Sequence, residues 1–212
     1  MTLKWHVQKP EKLLQNLLIN SMKVGLFFGS FNPYHVGHKI IASYIIEFTD
    51  LEKVYFVVSP HNPLKKKVSL LDQHHRLMII KRDIEDNPKL DVSDIEFKMK
   101  QPSYTIDTLV RMQELYPENK FAIIMGSDNF KTIHKWKNYK QILNNYLVYL
   151  YPRPKYSISN LKSPNVHIVD GVPEMEISAS FIRKSIKNKK NVSYLIPNKA
   201  WKYIDEMNFY KQ

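Results

Sequence analysis

The sequence predicts an α/β fold, a Rossmann-like open and mainly parallel sheet with helices on both faces and a helical C-terminal end. Three observations lead there. Apolar runs of strand length recur at Val24–Phe28, Val54–Val58, Phe121–Met125 and Tyr146–Leu150, with Val166–Val169 a shorter candidate. Segments with helical periodicity lie between them, over 37–49, 72–86, 105–116 and 138–144. Strands alternating with helices of about 10–15 residues are the mark of βαβ units and a parallel sheet. In such a sheet ligands bind outside the carboxyl ends of the strands.

Taken in order, residues 1–21 are polar and weakly amphipathic, with Leu13, Leu14, Leu17 and Leu18 at helical spacing, and form an N-terminal extension to which no chemistry is assigned. From Met22 the signal changes. Val24-Gly25-Leu26-Phe27-Phe28, closed by Gly29-Ser30, reads as a buried strand, and a helix over 37–49 follows. Val54–Val58 repeats the strand character, and the helix over 72–86 sets Leu77, Ile80 and Ile84 on one face. The helix over 105–116 leads to the strand that ends at Gly126, and the helix over 138–144 leads to Tyr146–Leu150. From Ser178 the chain is helical again, first over 180–187 and then from Pro197, a residue suited to a first turn, to Met207. No repeat or low-complexity linker divides residues 22–212, which read as a single domain.

Composition narrows the function classes. With 212 residues, 43% hydrophobic and 25% charged, the chain can bury a sizeable core, which excludes a disordered tail or a fibre. No apolar run of about 18 residues and no signal pattern occurs, so a cytoplasmic protein without membrane association is expected. The absence of cysteine excludes disulfides, thiolate catalysis and cysteine-held metals. The net charge, 32 minus 20 or +12, predicts anionic partners. Nucleic acid is the first candidate, but the lysines are scattered and only Lys65-Lys66-Lys67 form a tight run, as on a solvated surface. Glycine is scarce, 5 residues of 212, against a usual share of about 7%. Each glycine therefore asks for a reason.

Two of the five fall in Gly29-Ser30-Phe31-Asn32-Pro33-Tyr34-His35-Val36-Gly37-His38, between the first strand and its helix. Glycines let a backbone approach a ligand, and a helix N-terminus offers free N–H groups to a phosphate. His35 and His38, three residues apart at the helix start, can face one point beyond the strand end. That suits anion contact; the alternatives are an ordinary strand-to-helix turn and a histidine-pair metal site, the latter lacking a nearby carboxylate. Near the other end, in Ile177-Ser178-Ala179-Ser180-Phe181-Ile182-Arg183, Ser178 or Ser180 can cap a helix while free N–H groups and Arg183 hold an anion.

The first motif resembles the signature of the nucleotidyltransferases related to class I aminoacyl-tRNA synthetases, in which two histidines contact the phosphates of ATP. The resemblance implies adenylyl transfer, with Gly29, Ser30, Phe31, His35, Gly37 and His38 on ATP. The second resembles the family's I-S-S-T-x-I-R element, which receives the β- and γ-phosphates and implicates Ser178, Ser180 and Arg183; Ala179 and Ser180 replace Ser and Thr, so one hydroxyl contact is lost. Ser59-Pro60-His61-Asn62-Pro63-Leu64-Lys65 is similar to a proline-rich loop whose lysine approaches the substrate phosphate, implicating Asn62 and Lys65, with Lys66 and Lys67 as competing ammonium groups.

Ser103-Tyr104-Thr105-Ile106-Asp107-Thr108-Leu109 resembles the bacterial nicotinate-nucleotide adenylyltransferases, where it embraces the pyridine ring and its carboxylate; here that implies Tyr104 and Thr105. A helix N-terminus favours an anion by roughly 0.3–1 kcal/mol, which supports nicotinate over nicotinamide. Gly126-Ser127-Asp128 with the later Trp136 resembles the family's G-x-D segment, giving Asp128 a ribose or metal-side role and Trp136 a stacking role on the pyridinium. Arg153 sits in a weaker match to an R-P-G element, with Lys155 where the family has Gly. The reaction implied is ATP plus nicotinate mononucleotide giving nicotinic acid adenine dinucleotide and pyrophosphate. His35, His38, Lys65 and Arg183 would be catalytic through charge and position, and Mg²⁺ would be held by the ATP phosphates and water rather than by protein ligands. A phosphopantetheine-type enzyme, a dual-specificity nicotinamide mononucleotide enzyme and a basic nucleic-acid-binding module are the alternatives. The oligomeric state is left open, a homo-oligomer among the options.

Overall fold

The computed structural model describes residues 21–60, 70–154, 156 and 163–211. Asn62, Lys65 and nearly all of the N-terminal extension lie outside the described residues. Six strands form one sheet: β1 (Lys23–Gly29), β2 (Lys53–Val58), β3 (Leu90–Ser93), β4 (Lys120–Gly126), β5 (Leu147–Tyr151) and β6 (Val166–Ile168). Their order is β3-β2-β1-β4-β5-β6, and every pairing is parallel. Seven α-helices accompany them among the described residues: α1 (Val36–Phe48), α2 (Gln73–Ile84), α3 (Thr105–Leu115), α4 (Ser127–Phe130), α5 (Tyr139–Asn145), α6 (Ala179–Lys187) and α7 (Asn198–Glu206).

The sheet divides the core in two, and the division follows the pleat. Successive side chains of a strand point to opposite faces. In β4, Ala122 and Ile124 join one apolar cluster while Phe121, Ile123 and Met125 join the other. The first cluster takes Ile41 and Ile45 of α1, Ile79 and Ile80 of α2, Ile182 of α6 and Ile204 of α7. The second takes Leu109 and Met112 of α3 and Ile142 of α5. Buried on both sides, β1, β4 and β5 need continuous apolar runs, which is why their sequences announce them.

Three features escape the sequence pattern. β3 reads Leu-Asp-Val-Ser with only Leu90 buried, so it carries no apolar run. α4 spans four residues, too few for a period. Pro197 is the residue that caps α7 rather than the first residue within it, a one-position difference at a helix end. No helix among the described residues is long and apolar enough to cross a membrane.

The strand order fixes where a ligand goes. From β1 the chain winds outward to β2 and β3, then returns to place β4 on the other side of β1 and continues to β5 and β6. The winding reverses between β1 and β4, and the crevice at the carboxyl ends of those two strands is the expected binding place. Both strands end in glycine, Gly29 and Gly126, and each opens into one of the motifs read above. Leu109, fully buried beneath the sheet, anchors α3. Leu109→Ala is expected to lower unfolding free energy by about 2–5 kcal/mol, measured by urea denaturation.

Candidate active site

A cavity of about 410 Å³ opens at this crevice. Its walls are the turn after β1, the first turn of α1, the start of α4, the turn 151–154 after β5, and the segment from Val172 to Arg183. Gly29, Ser30, Phe31, His35, Gly37, His38, Asp128, Arg153, Ser178, Ser180 and Arg183 all line it. Four separate stretches of the chain thus meet in one place, with Leu70 beside them.

The histidines are packed, not loose. Their rings stack at 3.8 Å between centroids, and Tyr34 lies nearly parallel to His38 on a further ring contact of 5.9 Å. Tyr34 is fully buried and donates its hydroxyl to Asp83 at 3.2 Å, while Lys39 reaches the other oxygen of Asp83 at 2.9 Å. Gly37 favours this packing, since a Cβ there would press on the His35 ring at 3.1 Å. Gly29 likewise makes room for the Phe31 ring, 2.8 Å from where a Cβ would stand. These glycines thus serve the protein's own rings as well as any ligand.

The backbone N–H of His35 donates to His38 Nδ1 at 3.3 Å, so that nitrogen is unprotonated and a neutral His38 carries its proton on Nε2. Burial, and then the Arg153 charge, lower His35 from 6.5 to about 4. Burial, His35 and Arg153 hold His38 well below its ordinary value. At neutral pH and without ligand the pair is therefore uncharged, each ring a single N–H donor. Fixed positive charge on the cavity wall comes from Arg153 and Arg183.

Arg183 joins the two ends of the sequence. It donates to the carbonyl of Asn32, 151 residues away, and to Ser180 Oγ at 3.3 Å. Ser178, not Ser180, is the cap of α6, its Oγ accepting the Phe181 N–H at 3.2 Å. Asn32 was no candidate in the sequence, yet it is central. Its Oδ1 accepts from the Leu71 N–H at 3.2 Å and the Tyr210 hydroxyl at 2.9 Å, and its Nδ2 is a buried donor without a partner.

Across the cavity, Asp128 Oδ1 is also buried and unpartnered, with Arg153 Nε at 3.9 Å. Gly126 leaves room for these side chains, since a Cβ there would lie 2.4 Å from that oxygen and 3.0 Å from Arg153 Cγ and would displace them. Arg153 is positioned by its backbone N–H, which donates to Ser127 Oγ at 2.9 Å. No group of three His, Asp or Glu side chains able to hold a metal occurs among the described residues. Asp128 and Glu174 are carboxylates on the cavity wall.

Tyr104, Thr105 and Trp136 do not line this cavity. Tyr104 and Trp136 are half-buried against the core beneath α3, in a cluster that also holds Phe28, and Phe28 does line the cavity. Lys137 lies over the Tyr104 ring at 5.0 Å and pairs with Asp107 at 2.8 Å. The turn before α3 hangs on Glu96, a buried carboxylate that sequence reading missed. It accepts from Ser103 Oγ at 2.8 Å and Thr108 Oγ1 at 2.9 Å, and burial pushes its pKa up against those hydrogen bonds.

The histidine shifts set a pH dependence. A group with a folded-state pKa of about 4 against 6.5 binds its proton more readily in the unfolded chain. Its stabilisation is complete above about pH 6.5 and is lost as pH falls toward 4, on the order of 3 kcal/mol for His35. Urea midpoints measured from pH 7 to 4 should fall steeply in the native protein and less steeply in His35→Asn. An unchanged slope in the His35→Asn/His38→Asn double variant would contradict this origin.

The sequence model of the family described as "Cytidylyltransferase-like" matches residues 26–185. Two relatives named "probable nicotinate-nucleotide adenylyltransferase" are 53% identical: that of Flavobacterium johnsoniae, over 90% of this chain and 100% of its own length, and that of Christiangramia forsetii, over 89% and 98%. The solved structure of the Plasmodium falciparum nicotinic acid mononucleotide adenylyltransferase, complexed with NaAD, superposes with a TM-score of 0.75, covering 90% of this chain and 98% of that one at 21% identity, a likeness of fold. A family model that matches residues 26–185 and relatives 53% identical over nine-tenths of the sequence agree, and the chain belongs to the nicotinate-nucleotide adenylyltransferases of the cytidylyltransferase-like family and is a nucleotidyltransferase.

Proposed function

We propose that this cavity joins ATP to nicotinate mononucleotide, forming nicotinic acid adenine dinucleotide and pyrophosphate, and that it does so with the residues that line it. The observation that carries the reading is the Arg183 bridge: one guanidinium spans the turn after β1 and the first turn of α6, so both anion-binding motifs address one ligand. In the reaction, a phosphate oxygen of the mononucleotide attacks the α-phosphorus of ATP in line. A new P–O bond forms, the bond to the bridging oxygen breaks, and pyrophosphate leaves with that electron pair. A phosphate oxygen is already nucleophilic, so the protein's task is to align the partners and offset charge.

His38 Nε2–H and His35 are assigned to the triphosphate as hydrogen-bond donors, with Gly29, Ser30, Phe31 and Gly37 shaping the turn. Arg183, Ser178 and Ser180 are assigned to the β- and γ-phosphates, and Asp128 to a ribose or the metal side. Arg153 faces the same space and is assigned to the phosphate of the mononucleotide, together with Lys65 and Asn62. The nicotinate end extends past Phe28 toward Tyr104, Thr105 and Trp136, where the free N–H groups of α3 favour a carboxylate.

Nucleotidyltransferases of this kind use a divalent metal, and Mg²⁺ is the ion we infer. The donors present fit an ion that arrives on the triphosphate and keeps several waters, held by the phosphates rather than by protein ligands, with Asp128 on the cavity wall beside it. When bound, it supplies charge neutralisation on the transferring and leaving phosphates. We further read the protein as cytoplasmic, acting on small nucleotides rather than nucleic acid, with residues 1–21 as an appendage to one catalytic domain and self-association as a homo-oligomer open to test.

Pyrophosphate release with nicotinate mononucleotide, nicotinamide mononucleotide and phosphopantetheine as acceptors tests the assignment. The acid is expected to be used best, by at least an order of magnitude. Equal efficiency on the amide would remove the acid specificity, and activity confined to phosphopantetheine would overturn the reading. His38→Ala is expected to stay folded and lose roughly 10²–10³-fold in kcat, the usual effect of deleting one donor to developing charge.

A further inference from the structure

The buried face of α2 contains one residue that no apolar pattern explains. Arg76 is 1% exposed and lies on the same face as Ile79, Ile80 and Ile84. Among the described residues its hydrogen bonds all go to backbone carbonyls. Nε donates to Leu71 at 2.8 Å, one terminal nitrogen donates to Ser30 and to Ser59 at 2.9 Å, and the other to Pro60 at 3.3 Å. Asp72 and Tyr210 act on it through longer-range electrostatics alone, and burial lowers its pKa from the ordinary arginine value. An arginine stays protonated under such a shift. A full positive charge is therefore held in the interior by four peptide dipoles.

The choice of carbonyls is informative. Ser30 belongs to the turn after β1 that lines the cavity. Ser59 and Pro60 leave the end of β2, and Leu71 leads into α2, so the guanidinium holds both flanks of the connection between those elements against the turn. Leu71 is gripped on both sides, its C=O by Arg76 and its N–H by Asn32 Oδ1. There is also an electrostatic consequence. The guanidinium offsets the partial negative charge of these four carbonyl oxygens and adds positive charge beside the turn after β1.

We propose that Arg76 is a positioning residue for nucleotidyl transfer: without touching a ligand, it locks the turn after β1 to the flanks of the β2–α2 connection and so holds the phosphate-binding groups in register. The proposal rests on the adenylyltransferase reading. A lysine keeps the charge but replaces a rigid fork of five donors by three donors on one flexible point, so it cannot serve four acceptors on three segments.

The test compares Arg76→Lys with Ile79→Val and Ile79→Ala, which weaken the same helix without touching the carbonyls. Near-UV circular dichroism and Tm are recorded first, and kinetics are run well below every Tm. Arg76→Lys is expected to keep the fold and lose roughly 10–100-fold in kcat, with KM for both substrates changing less than about threefold, the signature of misplaced reacting groups. The Ile79 variant that matches its loss of Tm should keep kcat within about twofold of the native value. Native kcat in Arg76→Lys overturns the proposal, as does an equal fall in the matched Ile79 variant. Arg76→Gln is the second variant, and failure of both Arg76 variants to fold where the native protein is active makes the residue a folding element and overturns it too. A native protein that releases no pyrophosphate with any acceptor sinks the adenylyltransferase reading itself, an outcome separable from an active enzyme indifferent to Arg76.

Discussion

Everything at this site answers one electrostatic problem. The turns that follow β1 and β2 carry backbone carbonyl oxygens, and beside them, between β1 and β4, a triphosphate and a phosphomonoester have to be brought together. The chain meets this by giving the carbonyls other partners. Arg76 takes those of Ser30, Ser59, Pro60 and Leu71, and Arg183 takes that of Asn32. Helices α1 and α6 then point their N-termini, with their unpaired N–H groups, toward the cavity. The crevice suits an anion because arginines engage these carbonyls and two helix N-termini face it.

The histidines fit into this scheme differently from a pair of cations. Stacked on one another, backed by Tyr34 and shadowed by Arg153, they are kept neutral. A neutral imidazole with a fixed tautomer is a directional donor that adds no repulsion between neighbours when the site is empty. A bound triphosphate would reverse the sign of the local field and draw their pKa values upward, so binding and protonation are coupled. Tyr34, in the turn before α1, backs the rings and is itself tied to Asp83 of α2, which Lys39 of α1 also holds.

Much of this was legible before any coordinates. β1, β2, β4 and β5 announce themselves because burial on both faces demands unbroken apolar runs, and the motif Gly29–His38 stands out because two glycines, in a chain short of them, fall beside two histidines. What stayed hidden has physical reasons. β3 has a single buried side chain to signal it. Asn32 Oδ1 is held by donors from Leu71 and Tyr210, 39 and 178 residues away, which no local pattern encodes. Arg76 did leave a trace, a charge on the buried stripe of an amphipathic helix. Tyr104 and Trp136 were placed by resemblance, and they lie against the core beside Phe28, outside the main cavity.

Catalysis here is attributed to alignment and charge, with no protein atom bonded to the substrate along the way. The most direct measurement is the stereochemical course at phosphorus, with ATP made chiral at the α-phosphate by sulfur substitution. A single in-line displacement on partners held by His35, His38, Arg153 and Arg183 predicts inversion of configuration in the dinucleotide product. Retention would mean two successive displacements through a covalent nucleotidyl-protein, and it would contradict the assignment of these residues to positioning alone.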